Sequence, residues 1–198
     1  MITGTGGDGT SFVAALFGEL GYDAPEVYRN IQRGNEWGKL REFIAGFHYS
    51  HNYTEAWDSK REKELVELFR EAYTIEEVPE VVKKPYIGMY LIPWVKAGLP
   101  KPTNVILCMR DPYNNFKSSG GTIKEEAKYR ESAISWGITL WSCQKMNIPL
   151  SIIRFPDMRD PWYTYKELAN VLAPKRIDFE TFAKAHKIVW RGEWVHHG

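Results

Sequence analysis

Apolar residues along the chain fall into two kinds of run: short continuous ones that stop at charged residues or glycines, and longer ones spaced three and four apart. The continuous runs read as strands buried on both faces of a parallel sheet, and the spaced ones as helices with one apolar side. About four parallel strands are expected, at residues 1–4, 80–83, 104–109 and 149–154. The clearest is Asn104-Val-Ile-Leu-Cys-Met, which ends on Arg110-Asp111-Pro112. Glu80-Val-Val-Lys83 is shorter and leaves Lys84 at its carboxyl end, before Pro85.

The first helix should run from Thr10 to Leu20 and stop at Gly21, and a second should start at Asp23-Ala-Pro25-Glu26, carry Val27, Tyr28 and Ile31, and end near Gly34. Lys60 to Glu77 has Leu65, Leu68 and Phe69 on one side. Further helices are expected at Tyr86 to Ala97, at Lys124 to Asn147 with Ala133, Ile134, Ile138, Leu140 and Trp141 in its buried half, and at Tyr163 to Leu172. Residues 35–59 break both patterns and are rich in aromatics. They suit an acceptor pocket or lid, and equally an aromatic cluster covering the sheet. The sum is one α/β domain over residues 1–198, three-layered, with helices on both faces of the sheet and no internal repeat.

Composition narrows the partners. The formal net charge is +1, which gives no reason to expect nucleic acid or a membrane surface. Eight tryptophans at a mean hydropathy of −0.42 mean that many rings line a pocket or cover surface. Cys108 and Cys143 each lie in an apolar run and read as buried thiols of a reducing compartment. With no signal peptide and no apolar run near the length of a membrane span, a cytoplasmic location is expected.

The chemistry concentrates at the start. Met1-Ile-Thr-Gly4-Thr5-Gly6-Gly7-Asp8-Gly9-Thr10-Ser11 reads as strand, glycine-rich turn and helix start. Such a turn points successive N–H groups into one concavity, and the helix terminus adds partial positive charge at the same point. An anion is the natural occupant. A capped glycine-rich turn with no ligand would use the same residues. Gly4-x-x-x-x-Gly9-Thr10-Ser11 keeps the P-loop frame with Thr10 in place of its lysine, which argues against ordinary nucleotide hydrolysis. His48 and His51 stand three apart, with no third ligand at a recognisable spacing, so no metal is expected.

Gly9-Thr10-Ser11 resembles the end of the phosphosulfate loop of the sulfotransferases that use 3′-phosphoadenosine 5′-phosphosulfate (PAPS). Lys84-Pro85, a helix, the strand Val105-Ile-Leu-Cys-Met and then Arg110-Asp-Pro, with Ser118 eight residues after the arginine, resemble that family's signature. Arg191-Gly192 with Trp194 resembles part of its C-terminal loop. The loop's basic residue falls at Gly7, and Asp8 places a carboxylate inside the turn.

The resemblance implies a P-loop-type fold and PAPS as cofactor. It also implies a loop at Thr5, Gly6, Gly7, Asp8, Gly9, Thr10 and Ser11 on the 5′ side, and Arg110, Ser118 and Arg191 around the 3′-phosphate. Sulfuryl would pass to a small hydroxyl or amine acceptor, aromatic ones included. Lys84 would supply charge to the transferring group, and His48, His51 or Glu55 the base. Two alternatives stay open: a small magnesium-dependent nucleotide kinase or phosphotransferase, and a nucleotide-binding relative without turnover.

Overall fold

The computed structural model describes residues 1–24, 59–118 and 125–190. The expected second helix beyond residue 24 and the aromatic-rich stretch up to residue 58 lie outside them. Three strands, β1 (Ile2–Thr3), β2 (Val105–Arg110) and β3 (Leu150–Phe155), form one parallel sheet in the order β1-β2-β3. Ile2 stands opposite Ile106, and Val105 opposite Leu150.

Among the described residues the sheet therefore has three strands where about four were expected. Residues 80–83 meet β1 through one parallel bridge, Ile2 to Lys83. The Ile2 N–H donates to the Val82 carbonyl at 2.8 Å and the Lys84 N–H to the Ile2 carbonyl at 3.3 Å. Pairing stops there for local reasons. Pro85 has no N–H to give. Tyr86 turns to φ 68° and sends its N–H to the Gly4 carbonyl.

Among the described residues the helices are α1 (Thr10–Glu19), α2 (Ser59–Ala72), α3 (Leu91–Lys96), α4 (Pro112–Ser118), α5 (Glu125–Met146), α6 (Pro161–Leu172) and α7 (Phe179–Val189). Two are shorter than expected by more than a residue at an end. The helix expected over Lys60 to Glu77 ends at Ala72, and Ile75–Glu77 forms a separate 3-10 turn. The helix expected over Tyr86 to Ala97 opens as a 3-10 turn, Ile87–Tyr90. Pro93 has no N–H for the carbonyl four residues back, so one regular α-helix cannot run through it.

The alternation along β2 sorts the core. Ile106 and Cys108 pack with Ile153 against α1 (Phe12, Leu16), α6 (Leu168, Leu172) and α7 (Phe182, Val189). Val105 faces the other side, with Leu91 of α3 and Cys143 of α5. Leu65 and Phe69 of α2 and Trp94 of α3 complete that side. Each such side chain contributes about 1.5–3 kcal/mol by leaving water, and together they hold the strand ends in register.

α5 departs from expectation in its buried face. Ala133, Leu140 and Trp141 are exposed, Ile134 and Ile138 are half-buried, and Ser132, Ser135, Thr139, Ser142 and Cys143 turn inward. The cause is close approach. The turn carrying Gly88 runs against α5, so that a Cβ on Gly88 would collide with Thr139 Oγ1 and come within 2.9 Å of Thr3 Cγ2. Only small side chains fit at that crossing.

Candidate functional site

Because the strands are parallel, their carboxyl ends share one edge, the edge where open α/β sheets hold ligands. The turn after β1, Lys83, Arg110 and the segment after β3 all emerge there. Gly9, at φ 86°, is the N-cap of α1, and Gly7 sits at φ 91°. These left-handed positions curl the turn toward the helix terminus.

The inside of the turn is filled by its own carboxylate. Asp8 is completely buried. Its Oδ2 accepts from the Thr5 N–H and from the Thr5 hydroxyl, each at 2.7 Å. Asn115 of α4, also buried, donates its amide to Asp8 Oδ1 at 2.7 Å and to Thr5 Oγ1 at 3.2 Å. The Gly6 N–H donates to the Tyr86 hydroxyl at 3.3 Å, and that hydroxyl donates to Glu131 of α5. Among the described residues no hydrogen bond engages the N–H groups of Gly7, Gly9 or Thr10. The inner donor is thus taken by Asp8, while the donors next to the α1 terminus are left without a partner among the described residues.

Asn115 also explains Gly7. A Cβ there would lie 2.5 Å from Asn115 Oδ1. A side chain at position 7 is excluded both by that contact and by the positive φ.

Three cations stand around the turn. Arg110, at the end of β2, reaches the Gly7 carbonyl with Nη1 at 3.4 Å, and its guanidinium lies 4.5 Å from the centre of the Phe155 ring. Arg159 lies over the same ring at 5.4 Å. Burial lowers the Arg110 pKa; Asp8 and Asp111 oppose that shift, and Arg159 adds to it. Two guanidiniums on one ring repel each other, and a nearby anion would relieve that repulsion. The third cation is Lys83, only 1% exposed, whose ammonium donates to Ser11 Oγ at 3.0 Å. Cys108 of β2 is buried, its thiol pushed up chiefly by that burial and further by Asp8, and eased down by Lys83. Its reactivity is suppressed accordingly.

Of the expected site residues, the structure brings together Thr5 to Ser11 and Arg110. Lys84 is half-buried one position beyond the bridge. Ser118 closes α4, its side chain outside the described set, and His48, His51, Glu55 and Arg191 lie outside the described residues. Sequence reasoning missed Lys83, Tyr86, Asn115 and Arg159. For Lys83 a signal existed. Val81 packs on the α1 side of the sheet and Val82 on the other, so period-2 alternation carries Lys83 toward α1 and its Ser11. Asn115 carried no such signal, because its role depends on where α4 lands.

Among the described residues no three His, Cys, Asp or Glu side chains gather as a metal site. No described helix is long and apolar enough to cross a membrane. No family model matches the chain, and no curated protein matches its sequence.

Proposed function

We propose that this is a P-loop-type, sulfotransferase-like protein that binds a PAPS-type nucleotide at the carboxyl edge of the sheet and transfers sulfuryl to a small hydroxyl or amine acceptor. The observation that carries the reading is the contact of Arg110 with the Gly7 carbonyl. It sets a guanidinium suited to a 3′-phosphate directly against a turn suited to a 5′-phosphosulfate, at the ends of neighbouring strands. Arg159 adds a second guanidinium beside the first. In this reading the N–H groups of Gly7, Gly9 and Thr10 and the α1 terminus meet the phosphosulfate. Lys83, with Lys84 beside it, supplies the positive charge that the loop lacks at Gly7.

Transfer breaks the bond between the sulfur and the bridging phosphate oxygen and forms one from sulfur to the acceptor oxygen or nitrogen. The acceptor's proton goes to a base, and 3′,5′-ADP leaves. Positive charge on the leaving phosphate and on the equatorial sulfuryl oxygens lowers the barrier.

The deciding experiment is titration calorimetry with 3′,5′-ADP, 5′-ADP and ATP, with and without magnesium, on the native chain and on Arg110→Ala. A preference for 3′,5′-ADP that Arg110→Ala abolishes is the expected result. Magnesium-dependent preference for ATP would move the protein to the kinase reading, and absence of binding by all three would overturn nucleotide binding altogether.

A further inference from the structure

A cavity of about 530 Å³ opens at the opposite, amino edge of the sheet. Its walls include Ile2, Phe17, Val82, Trp94, Ile106 and Val171, drawn from β1, α1, the 80–83 segment, α3, β2 and α6. That volume lies in the range of small-molecule sites, about 300–1,000 Å³, and the lining has the same character, apolar with a few polar groups. Asn104, immediately before β2, also lines it, is 9% exposed, and its side-chain oxygen has no hydrogen-bond partner among the described residues. A buried acceptor left unpaired is costly, so a donor from a bound molecule would be favourable.

Among the described residues the charged side chains lining it are Lys101, Lys175 and Glu80. Met1 also lines it, its amino group donating to the Asn104 carbonyl at 2.9 Å with a pKa lowered by burial to about 5. Lys175 already donates to Glu80 at 3.2 Å and to the Gly21 carbonyl at 3.0 Å, and lies over the Tyr22 ring at 3.8 Å. That pair offsets itself, which leaves the exposed Lys101 to set the sign of the mouth.

We propose that this cavity is a binding site for a small, mainly apolar monoanion that carries one hydrogen-bond donor. Its body fills the wall, its donor meets the Asn104 amide and its charge faces Lys101. The site is separate from the carboxyl edge and does not rest on the nucleotide reading. It nonetheless touches β1 and α1, the two elements that carry the glycine-rich turn.

The probe is 1-anilinonaphthalene-8-sulfonate, which has two aromatic units, one N–H and one sulfonate. Fluorescence titration of the native chain should show saturable binding at one site. Val171→Trp, which fills the cavity, and Thr103→Trp, which closes it from an exposed position tolerant of substitution, should each weaken binding at least tenfold with circular dichroism unchanged. Lys101→Glu should weaken it about threefold, and Arg110→Ala should leave it as in the native chain. No saturable binding, unchanged affinity in the Trp variant that folds, or loss of binding with Arg110→Ala would overturn the proposal.

Discussion

Asn115 donates its side-chain amide to the Asp8 carboxylate at 2.7 Å, across 107 positions of sequence, and so fastens α4 to the turn after β1 from within. The same carboxylate takes the Thr5 N–H. A turn of glycines that would otherwise present all its donors outward is braced by an internal anion, and a ligand anion must approach against that charge.

Replacing Asp8 separates these two effects. In Asp8→Asn the side-chain oxygen still accepts from Thr5, while the Asn115 amide must turn over to meet a donor instead of an acceptor. Hydrogen bonds to a charged group are worth about 1.5–3 kcal/mol, so urea denaturation should show a loss of about that size. Removing the negative charge should at the same time raise the affinity for 3′,5′-ADP by about tenfold, or about 1.4 kcal/mol. Lower stability together with unchanged or weaker nucleotide affinity would show that Asp8 only braces the turn.

How much of this was legible in the chain follows from what each feature depends on. The glycine-rich turn and the strand ending at Arg110 were readable, because both are written in contiguous residues. The carboxylate of Asp8 was legible inside the turn, but the partner that fixes it there, Asn115, comes from an element over a hundred positions away. The fourth strand shrank to a bridge because Pro85 and the left-handed Tyr86 end the pairing at once. The inward face of α5 was misread because apolar spacing was followed where steric room decides: Gly88 brings a backbone so near that Thr139 fits and a leucine does not. Helix existence followed pattern, while helix face and site occupancy followed packing.

Position 7 offers a test of why glycine stands there. Gly7→Ala places a Cβ at φ 91° and 2.5 Å from Asn115 Oδ1. The left-handed backbone costs about 1–2 kcal/mol, and the collision adds about 1–3 kcal/mol unless Asn115 yields. Asn115→Ala should remove the second part only. A double-mutant cycle by urea denaturation should therefore show a coupling of at least about 1 kcal/mol between the two sites. Additive effects would mean that the backbone angle alone excludes a side chain there.

Lys83 and Lys84 are neighbours with different surroundings, one with its ammonium on Ser11 Oγ and the other half-buried beyond the bridge. If the charge that replaces the loop cation is delivered through Ser11, Lys83→Met should weaken 3′,5′-ADP binding about tenfold, and Lys84→Met about twofold or less. Those factors correspond to about 1.4 and 0.4 kcal/mol. Calorimetry on both variants, after circular dichroism has confirmed their fold, decides it. The reverse order would return the role to Lys84.

The far side of α1 carries a titratable group whose sign can be worked out. His186 of α7 is 4% exposed, its Nε2 lies 2.9 Å from the Met158 carbonyl, and its ring packs against Phe12 and Trp190. A neutral ring with its proton on Nε2 donates to that carbonyl. Burial lowers the pKa below the ordinary 6.5, against smaller opposing contributions from the Met158 carbonyl and from Asp160. The unfolded chain therefore takes up this proton at higher pH than the folded one does, and stability falls as pH drops through 6.5 toward the folded value. Above 6.5 both states are neutral at this site, and the histidine adds no pH dependence. Other groups titrate over the same range, so the informative quantity is the difference between the native chain and His186→Gln, measured by urea denaturation from pH 8 to pH 5. That difference should be level at the alkaline end and shift steadily against the native chain on the acid side. A difference that stays level throughout, or moves in favour of the native chain, would mean that His186 becomes charged in the folded protein as easily as in the unfolded one.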